Sequence, residues 1–210
     1  MTKMFFMLLL VAFAPVQALW PIPRGLTTGT SPLTLADGFS IDLTAIRNPP
    51  GDLEDAVGRT RRYLYEDKLY RLVVGRGPGS GVLLGTAKKL NRLYLELNGS
   101  NGAAATVSMP LEYNFMELQA GRLSMDIMKQ TRAPSISDVT ALSVEERDES
   151  YRLRIPADGS DATLVANTTL GLLRGLTTFG QVWYQYDRWI YTVEAPFDIV
   201  DEPYYVSNCA

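Results

Sequence analysis

The residues best equipped for chemistry in this chain are adjacent carboxylates: Glu145-Glu146, Asp148-Glu149 and Asp201-Glu202. Two carboxyl groups at one site can divide the roles of acid and base or nucleophile, and glycoside hydrolysis is the usual use of such a pair. The remaining catalytic repertoire is narrow. The 210 residues include no histidine, which removes the commonest general base and the commonest metal ligand. A Ser-His-Asp triad and an H-E-x-x-H zinc site are therefore excluded, and no G-x-S-x-G elbow is present. The single cysteine, Cys209, excludes an intrachain disulfide and has no histidine to activate it. The glycine-rich run 75–85, GRGPGSGVLLG, lacks the Gly-Lys-Ser/Thr ending of a phosphate loop and the first-third-sixth glycine spacing of a dinucleotide fingerprint. It reads as a flexible surface loop.

Composition narrows the class further. Hydrophobic residues make up 46% and charged residues 20%, values of a soluble globular chain whose length suits one domain. A net charge of -3 and a pI near 5.1 give no basic face for nucleic acid. Residues 1–18 have the plan of a cleaved signal peptide. Lys3 supplies the positive start, 4–14 form an apolar run too short to span a bilayer, and Val16-Gln17-Ala18 place small residues at the cleavage point. No other stretch is apolar enough to cross a membrane, so the expectation is a secreted or lysosomal/vacuolar protein, free of the membrane once cleaved. Two sequons fit that route: Asn98-Gly99-Ser100 and Asn167-Thr168-Thr169. Asn98, between a strand-like run and a small-residue turn, is the better placed. Asn167 competes with its own position at a helix start.

The elements that must carry these residues follow from periodicity. The stretch 166–186, ANTTLGLLRGLTTFGQVWYQY, opens with Asn167, Thr168 and Thr169, any of which can cap a first turn. Leu172, Leu176, Phe179, Trp183 and Tyr186 then recur at three- and four-residue steps on one face. Gly171 and Gly175 share a face too. Each costs a helix about 1 kcal/mol relative to alanine, so their presence predicts a backbone held close to a neighbour, most simply a sheet. Arg174 stands among apolar residues and is expected to pair with a buried carboxylate or meet a neighbouring domain. A second helix is expected from Asp52 as N-cap, through Leu53, Val57, Thr60 and Leu64, and on imperfectly through Leu69 and Leu72. Arg59, Arg61 and Arg62 form its wet side.

Residues 33–43 read as a strand or hairpin with Asp37-Gly38 as the turn. Leu93, Leu95 and Leu97 alternate with polar or amphipathic residues, as do Tyr151, Leu153 and Ile155, and Asp158-Gly159-Ser160-Asp161 turns the chain towards a strand holding Leu164 and Ala166. Two short strands, 189–193 and 197–200, close the pattern. Residues 106–133 fit neither period and stay unassigned, and the acidic run 145–149 reads as a solvated approach to a strand. The fold class is α+β: a mostly antiparallel sheet with two amphipathic helices packed on one face.

Four segments resemble the N-terminal, non-catalytic domain of β-N-acetylhexosaminidases of glycoside hydrolase family 20, of the eukaryotic or fungal type. The helix stretch matches A-N-T-x-x-G-x-L-R-G-L-x-T-F-x-Q through Ala166, Asn167, Thr168, Gly171, Leu173, Arg174, Gly175, Leu176, Thr178, Phe179 and Gln181. Leu19-Trp20-Pro21-Ile22-Pro23 resembles the family's mature N-terminus, Glu149-Ser150-Tyr151-Arg152-Leu153 its D/E-S-Y-x-L strand, and Ile199-Val200-Asp201-Glu202-Pro203 the I-x-D-x-P linker into the catalytic barrel. The resemblance runs over 19–203 with a weak middle between 74 and 147. It implies a zincin-like α/β sandwich, zincin-like in topology only, that packs in cis beside a TIM barrel, and a homodimer of the full-length enzyme as a further partner.

The resemblance also disposes of the carboxylates. In that family the adjacent Asp-Glu pair lies deep in the barrel, the sugar's own acetamido group is the nucleophile, the glutamate is the acid and the aspartate orients the acetamide. Asp201 instead falls on the linker aspartate. The expectation is that this chain holds no catalytic residue, no cofactor and no metal, and removes no terminal N-acetylhexosamine by itself. Residues 204–210 depart from the family. Tyr204-Tyr205 matches an aromatic step, and Val206-Ser207 is what a splice-donor GTAAGT encodes, so the tail reads as translated intron in a truncated product. A standalone secreted domain that binds a glycan or a protein is the alternative.

Overall fold

The computed structural model describes residues 19–67, 77, 79–98 and 133–202. The elements run β1 (Gly25–Asp42), α1 (Gly51–Tyr65), α2 (Ser80–Thr86), β2 (Lys88–Leu97), α3 (Ile136–Thr140), β3 (Tyr151–Ile155), β4 (Ala162–Ala166), α4 (Thr169–Gln181), β5 (Tyr184–Tyr186) and β6 (Trp189–Asp201). The six strands form one mixed sheet in the order β1-β2-β4-β3-β6-β5, and β1 also pairs with β6. β1–β2 and β2–β4 are parallel, and the other four pairings are antiparallel. The α+β class with a mostly antiparallel sheet is therefore the one the periodicities imply.

Register explains the core. Ile199 pairs with Leu153, Leu153 with Leu164, and Leu164 with Leu95, so four side chains fall in one row across β6, β3, β4 and β2. All four are completely buried. Each lies on the apolar phase of its strand, where period two sends alternate side chains to the same face. The opposite phase is polar: Arg152 and Arg154 flank Asp198, and Arg92 lies over Tyr94 while pairing with Asp42.

Helix α4 covers the core row, and α1 packs beside it. Thr168 is the N-cap, its hydroxyl accepting the Gly171 amide at 3.0 Å. Leu172, Leu176 and Phe179 point inward and are buried. Phe39 stacks on Phe179 at 5.7 Å between centroids, and Trp183 meets the same ring edge-on. The glycines do what their spacing predicts. A Cβ on Gly175 would lie 2.2 Å from Leu164 Cδ1, and one on Gly171 would lie 2.4 Å from the Ser150 carbonyl oxygen. The helix backbone rests directly on β4 and on the start of β3.

Several boundaries differ from the sequence expectations, each for a local reason. The 33–43 hairpin is part of one long strand. β1 advances five residues from Leu35 to Ser40 while β2 advances two from Leu90 to Arg92, so Asp37-Gly38 forms an exposed bulge rather than a turn. The N-cap of α1 is Pro50, not Asp52. Asp52 sits in the first turn, and its Oδ2 accepts from the Ser137 amide and hydroxyl at 3.0 and 3.2 Å. α1 ends at Tyr65, and Leu69 and Leu72 lie outside the described residues. The glycine-rich run is not all loop: Ser80–Thr86 is a helix entered through Gly79 at φ +90°, with Leu84 buried against Tyr184 and Tyr191. Helix α4 ends at Gln181, so of the expected stripe Trp183 lies just past the helix and Tyr186 belongs to β5. The two late strands are one, β6, which the exposed Pro196 does not break. The unassigned stretch lies almost wholly outside the described residues. Just beyond it is α3, whose capping box joins Ser135 and Asp138, a pattern legible as S-x-x-D before an apolar residue.

Candidate functional site

Two of the three pairs of adjacent carboxylates are split between the interior and the surface, and the third lies wholly on the surface. Asp201, the last residue of β6, is 7% exposed, and its Oδ1 accepts the Arg24 amide at 3.3 Å, whereas Glu202 faces solvent. Asp148 turns towards Ser150 and Asn167, while Glu149 turns into the protein. Glu145 and Glu146 are exposed, and Glu146 accepts from the Ser143 hydroxyl at 2.9 Å. General acid–base work needs two carboxyls facing one reacting bond, and none of these pairs supplies that.

Glu149 corrects the reading of 145–149 as solvated. It is 4% exposed, and its Oε2 accepts from Arg174 Nε at 2.6 Å across the start of α4. The arginine side chain is half exposed, so the pair runs from the interior to the surface. Of the two partners expected for Arg174, a buried carboxylate or a neighbouring domain, this is the first. Nothing in the local sequence separates Glu149 from Glu145, Glu146 and Asp148 except its place two residues before Tyr151, in phase with the buried side of the alternating strand.

Asp148 organises the residues before α4. Burial raises its carboxyl pKa, but hydrogen bonds from the Ser150 hydroxyl, the Asn167 amide and the Ser150 backbone outweigh that and hold it below the usual carboxylate range. Tyr151, next along, shares a 2.6 Å hydrogen bond with the Thr178 hydroxyl on α4. Burial pushes its phenol up to about 12. Thr178 opposes that shift, and the nearby Asp201 carboxylate adds to it. A phenol held neutral in this way braces strand against helix.

Of the six helix residues singled out from sequence, Gly171, Gly175, Leu176 and Phe179 face the core. Leu173 is half-buried and Arg174 faces outward. Leu173 and Leu176 line a shallow groove of about 350 Å³ between α1 and α4, with Ala56, Tyr63 and Gly180 as its other apolar walls and Arg59 at its rim. The sequon residues Asn98 and Asn167 are both exposed. Gln181 clamps the N-terminal segment: its Oε1 accepts the Trp20 amide and its Nε2 donates to the Trp20 carbonyl, both at 2.9 Å. Leu19 is thereby held in the core, and the Trp20 ring is left 80% exposed. Sequence reasoning missed this clamp because its partners stand 161 residues apart. Among the described residues no group of three His, Cys, Asp or Glu side chains could hold a metal ion.

The fold and these contacts define an α+β module in which Arg174, Thr178 and Gln181 tie α4 to the residues before β3, to β3 and to the N-terminal segment. A model of the family described as beta-acetyl hexosaminidase like matches residues 19–182. The chain belongs to that family, as a glycoside hydrolase family 20 N-terminal domain. Among solved structures, Flavobacterium johnsoniae chitobiase is similar with a TM-score of 0.50 and 19% identity, over 90% of this chain and 21% of that one. Streptomyces plicatus N-acetyl-beta-hexosaminidase follows at 0.40 and 18%, over 92% and 28%. A family 20 exo beta-N-acetylglucosaminidase of Vibrio harveyi follows at 0.42 and 10%, over 90% and 19%. The chain thus spans about a fifth to a little over a quarter of the length of these structures. No curated protein sequence matches it.

Proposed function

We propose that this chain is the supporting domain of a secreted β-N-acetylhexosaminidase. It packs in cis against a family 20 catalytic barrel and contributes no group to hydrolysis of the terminal N-acetylhexosamine. The observation that carries this reading is the outer surface of the helix layer. Leu173 and Tyr63 wall a shallow, largely apolar groove between α1 and α4, floored by the buried Leu176 and Ala56. The groove is small, and the half-buried Leu173 and Tyr63 are the contacts it offers an adjoining domain. Its walls present no carboxylate, so it is poorly made to hydrolyse a sugar. The divergence of Asp201 from Glu202 and of Asp148 from Glu149 supports the same view.

The test uses the chain as secreted, assayed on a chromogenic N-acetylglucosaminide and then mixed with a family 20 barrel expressed without its own N-terminal domain. The chain alone is expected to release no chromophore. It is expected to bind the barrel, and Leu173→Arg in the groove is expected to weaken that binding at least tenfold. Hydrolysis by the chain alone would overturn the proposal. Binding of chitin oligosaccharides without any affinity for the barrel would replace it with a standalone glycan-binding role.

A further inference from the structure

The two sequons, 69 residues apart in the chain, meet at one point on the surface. The cause is the parallel pairing of β2 and β4, which ends with Leu97 opposite Ala166. The next residues are Asn98 and Asn167, and the Asn98 amide nitrogen continues the ladder by donating to the Ala166 carbonyl at 2.8 Å. Beyond it the side chains join: Asn98 Nδ2 donates to Asn167 Oδ1 at 2.9 Å.

The two amides are not equivalent. Asn167 is held at both ends, since its Oδ1 accepts from Asn98 and its Nδ2 donates to Asp148 Oδ2 at 2.7 Å. It stands directly before the N-cap Thr168, whose own hydroxyl donates to the Asp148 carbonyl. Asn98 reaches Asn167 through one N–H of Nδ2, and a second N–H is left on that nitrogen. The amide of Asn167 spans about 2.2 Å from oxygen to nitrogen, so the two side-chain nitrogens lie no more than about 5 Å apart. Two sugar rings bonded to those nitrogens would need the same space.

We infer that Asn98 carries a single N-linked oligosaccharide and that Asn167 is a structural amide, left unmodified in the folded, secreted chain. This rests on the reading that the chain enters the secretory route. The donor is a lipid-diphosphate-linked oligosaccharide, supplied with its transferase by the secretory compartment. Asn98 Nδ2 forms a bond to C1 of the reducing-end sugar, the bond from C1 to the diphosphate oxygen breaks, the lipid diphosphate leaves, and the amide loses one of its two protons. The remaining N–H can still donate to Asn167. A glycan on Asn167 would also leave one N–H for Asp148, but its first sugar would stand on a nitrogen already flanked by the Asn98 amide and the Asp148 carboxylate at the packed start of α4, so a chain modified there is retained inside the cell.

The experiment expresses the full chain from residue 19 onward behind a heterologous signal peptide in glycosylating cells, beside a second version with its own residues 1–18. Secreted and intracellular pools are treated with an amide-cleaving glycosidase in heavy-oxygen water and mapped for the aspartate label. The expected result is label at Asn98 and not at Asn167 in the secreted pool of the heterologous version. Ser100→Ala, which destroys the acceptor motif but keeps the Asn98 amide, should abolish the glycosidase-sensitive mobility shift. Asn167→Gln should keep it. Label at Asn167 in secreted protein, label at both positions, or secreted protein with neither labelled would each overturn the assignment. Failure of only the version with its own leader would sink the secretory reading and leave the glycan assignment standing.

Discussion

Two helices in this protein carry the same glycine spacing and use it in opposite ways. In α4, Gly171 and Gly175 stand four apart, and a Cβ at either would lie within 2.4 Å of the sheet's atoms. In α2, Gly81 and Gly85 also stand four apart, yet a Cβ at Gly81 would meet nothing within 4 Å and one at Gly85 would only touch the Trp189 ring at 3.9 Å. In the first helix the missing methyl is the contact itself, and it lets the backbone sit on β4 and the start of β3. In the second it only lowers helix propensity. The setting matches the use. α4 covers the large core, whereas α2 buries Leu84 against the small cluster of Tyr184 and Tyr191 and leaves Val82 and Leu83 exposed. Spacing brings two residues to one face, but what stands opposite that face decides their meaning.

The comparison breaks most visibly at Gly171. Gly171→Ala drives a methyl into the Ser150 carbonyl, which is backbone and cannot rotate away, so a loss of about 3 kcal/mol is expected. Gly175→Ala meets the Leu164 side chain instead, which yields in part, and about 2 kcal/mol is expected. Urea melts measure both. Losses under about 0.5 kcal/mol, the ordinary surface value, would mean that α4 does not rest on the sheet.

A second test bears on the brace between β3 and α4. The folded state holds the Tyr151 proton up to about pH 12, whereas the unfolded chain releases it near 10. The unfolded state therefore binds fewer protons between those values, and stability falls as pH rises through that window. The contribution at stake is about 2–3 kcal/mol. It is read as the difference between the parent and Tyr151→Phe, which cannot ionise there. A difference that stays constant from pH 9 to 12 would remove the brace from the account.

The Arg174–Glu149 pair should respond unequally to the loss of either partner. Arg174→Ala leaves a buried carboxylate without its guanidinium and is expected to cost about 2 kcal/mol. Glu149→Gln leaves a half-exposed arginine that water can solvate, and about 1 kcal/mol is expected. Equal costs would mean that burial does not control the pair. The smallest effect is of opposite sign. Gly81→Ala and Gly85→Ala should each stabilise by about 0.5–1 kcal/mol, because alanine gains helix propensity where nothing blocks its methyl. A loss at either position would put a hidden close contact on α2 and erase the contrast with α4.

Much of the fold was legible because period and burial coincide. Leu93-Leu95-Leu97 and Tyr151-Leu153-Ile155 alternate in the sequence and in the structure, and Thr168 caps α4 as its type suggests. The losses fall where one local pattern fits two geometries. Asp37-Gly38 suits a turn or a bulge, and only the parallel pairing of β1 with β2, resumed at Ser40, selects the bulge. Ser80–Thr86 is short and glycine-rich, and it is helical where Leu84 finds the Tyr184–Tyr191 cluster.

Sequence alone therefore determined the properties that depend on a residue and its near neighbours: the apolar phases of the strands, the start of α4, the absence of histidine chemistry, and the need of Gly171 and Gly175 for a close neighbour. Tertiary structure alone decided which groups meet across the chain. It set Glu149 rather than its acidic neighbours beneath Arg174, put Gln181 on both sides of the Trp20 peptide, and joined Asn98 to Asn167. The reason is physical. Periodicity is written in bonds between successive residues, whereas partners 25 to 161 residues apart are chosen by the packing of the whole core, which no single segment contains.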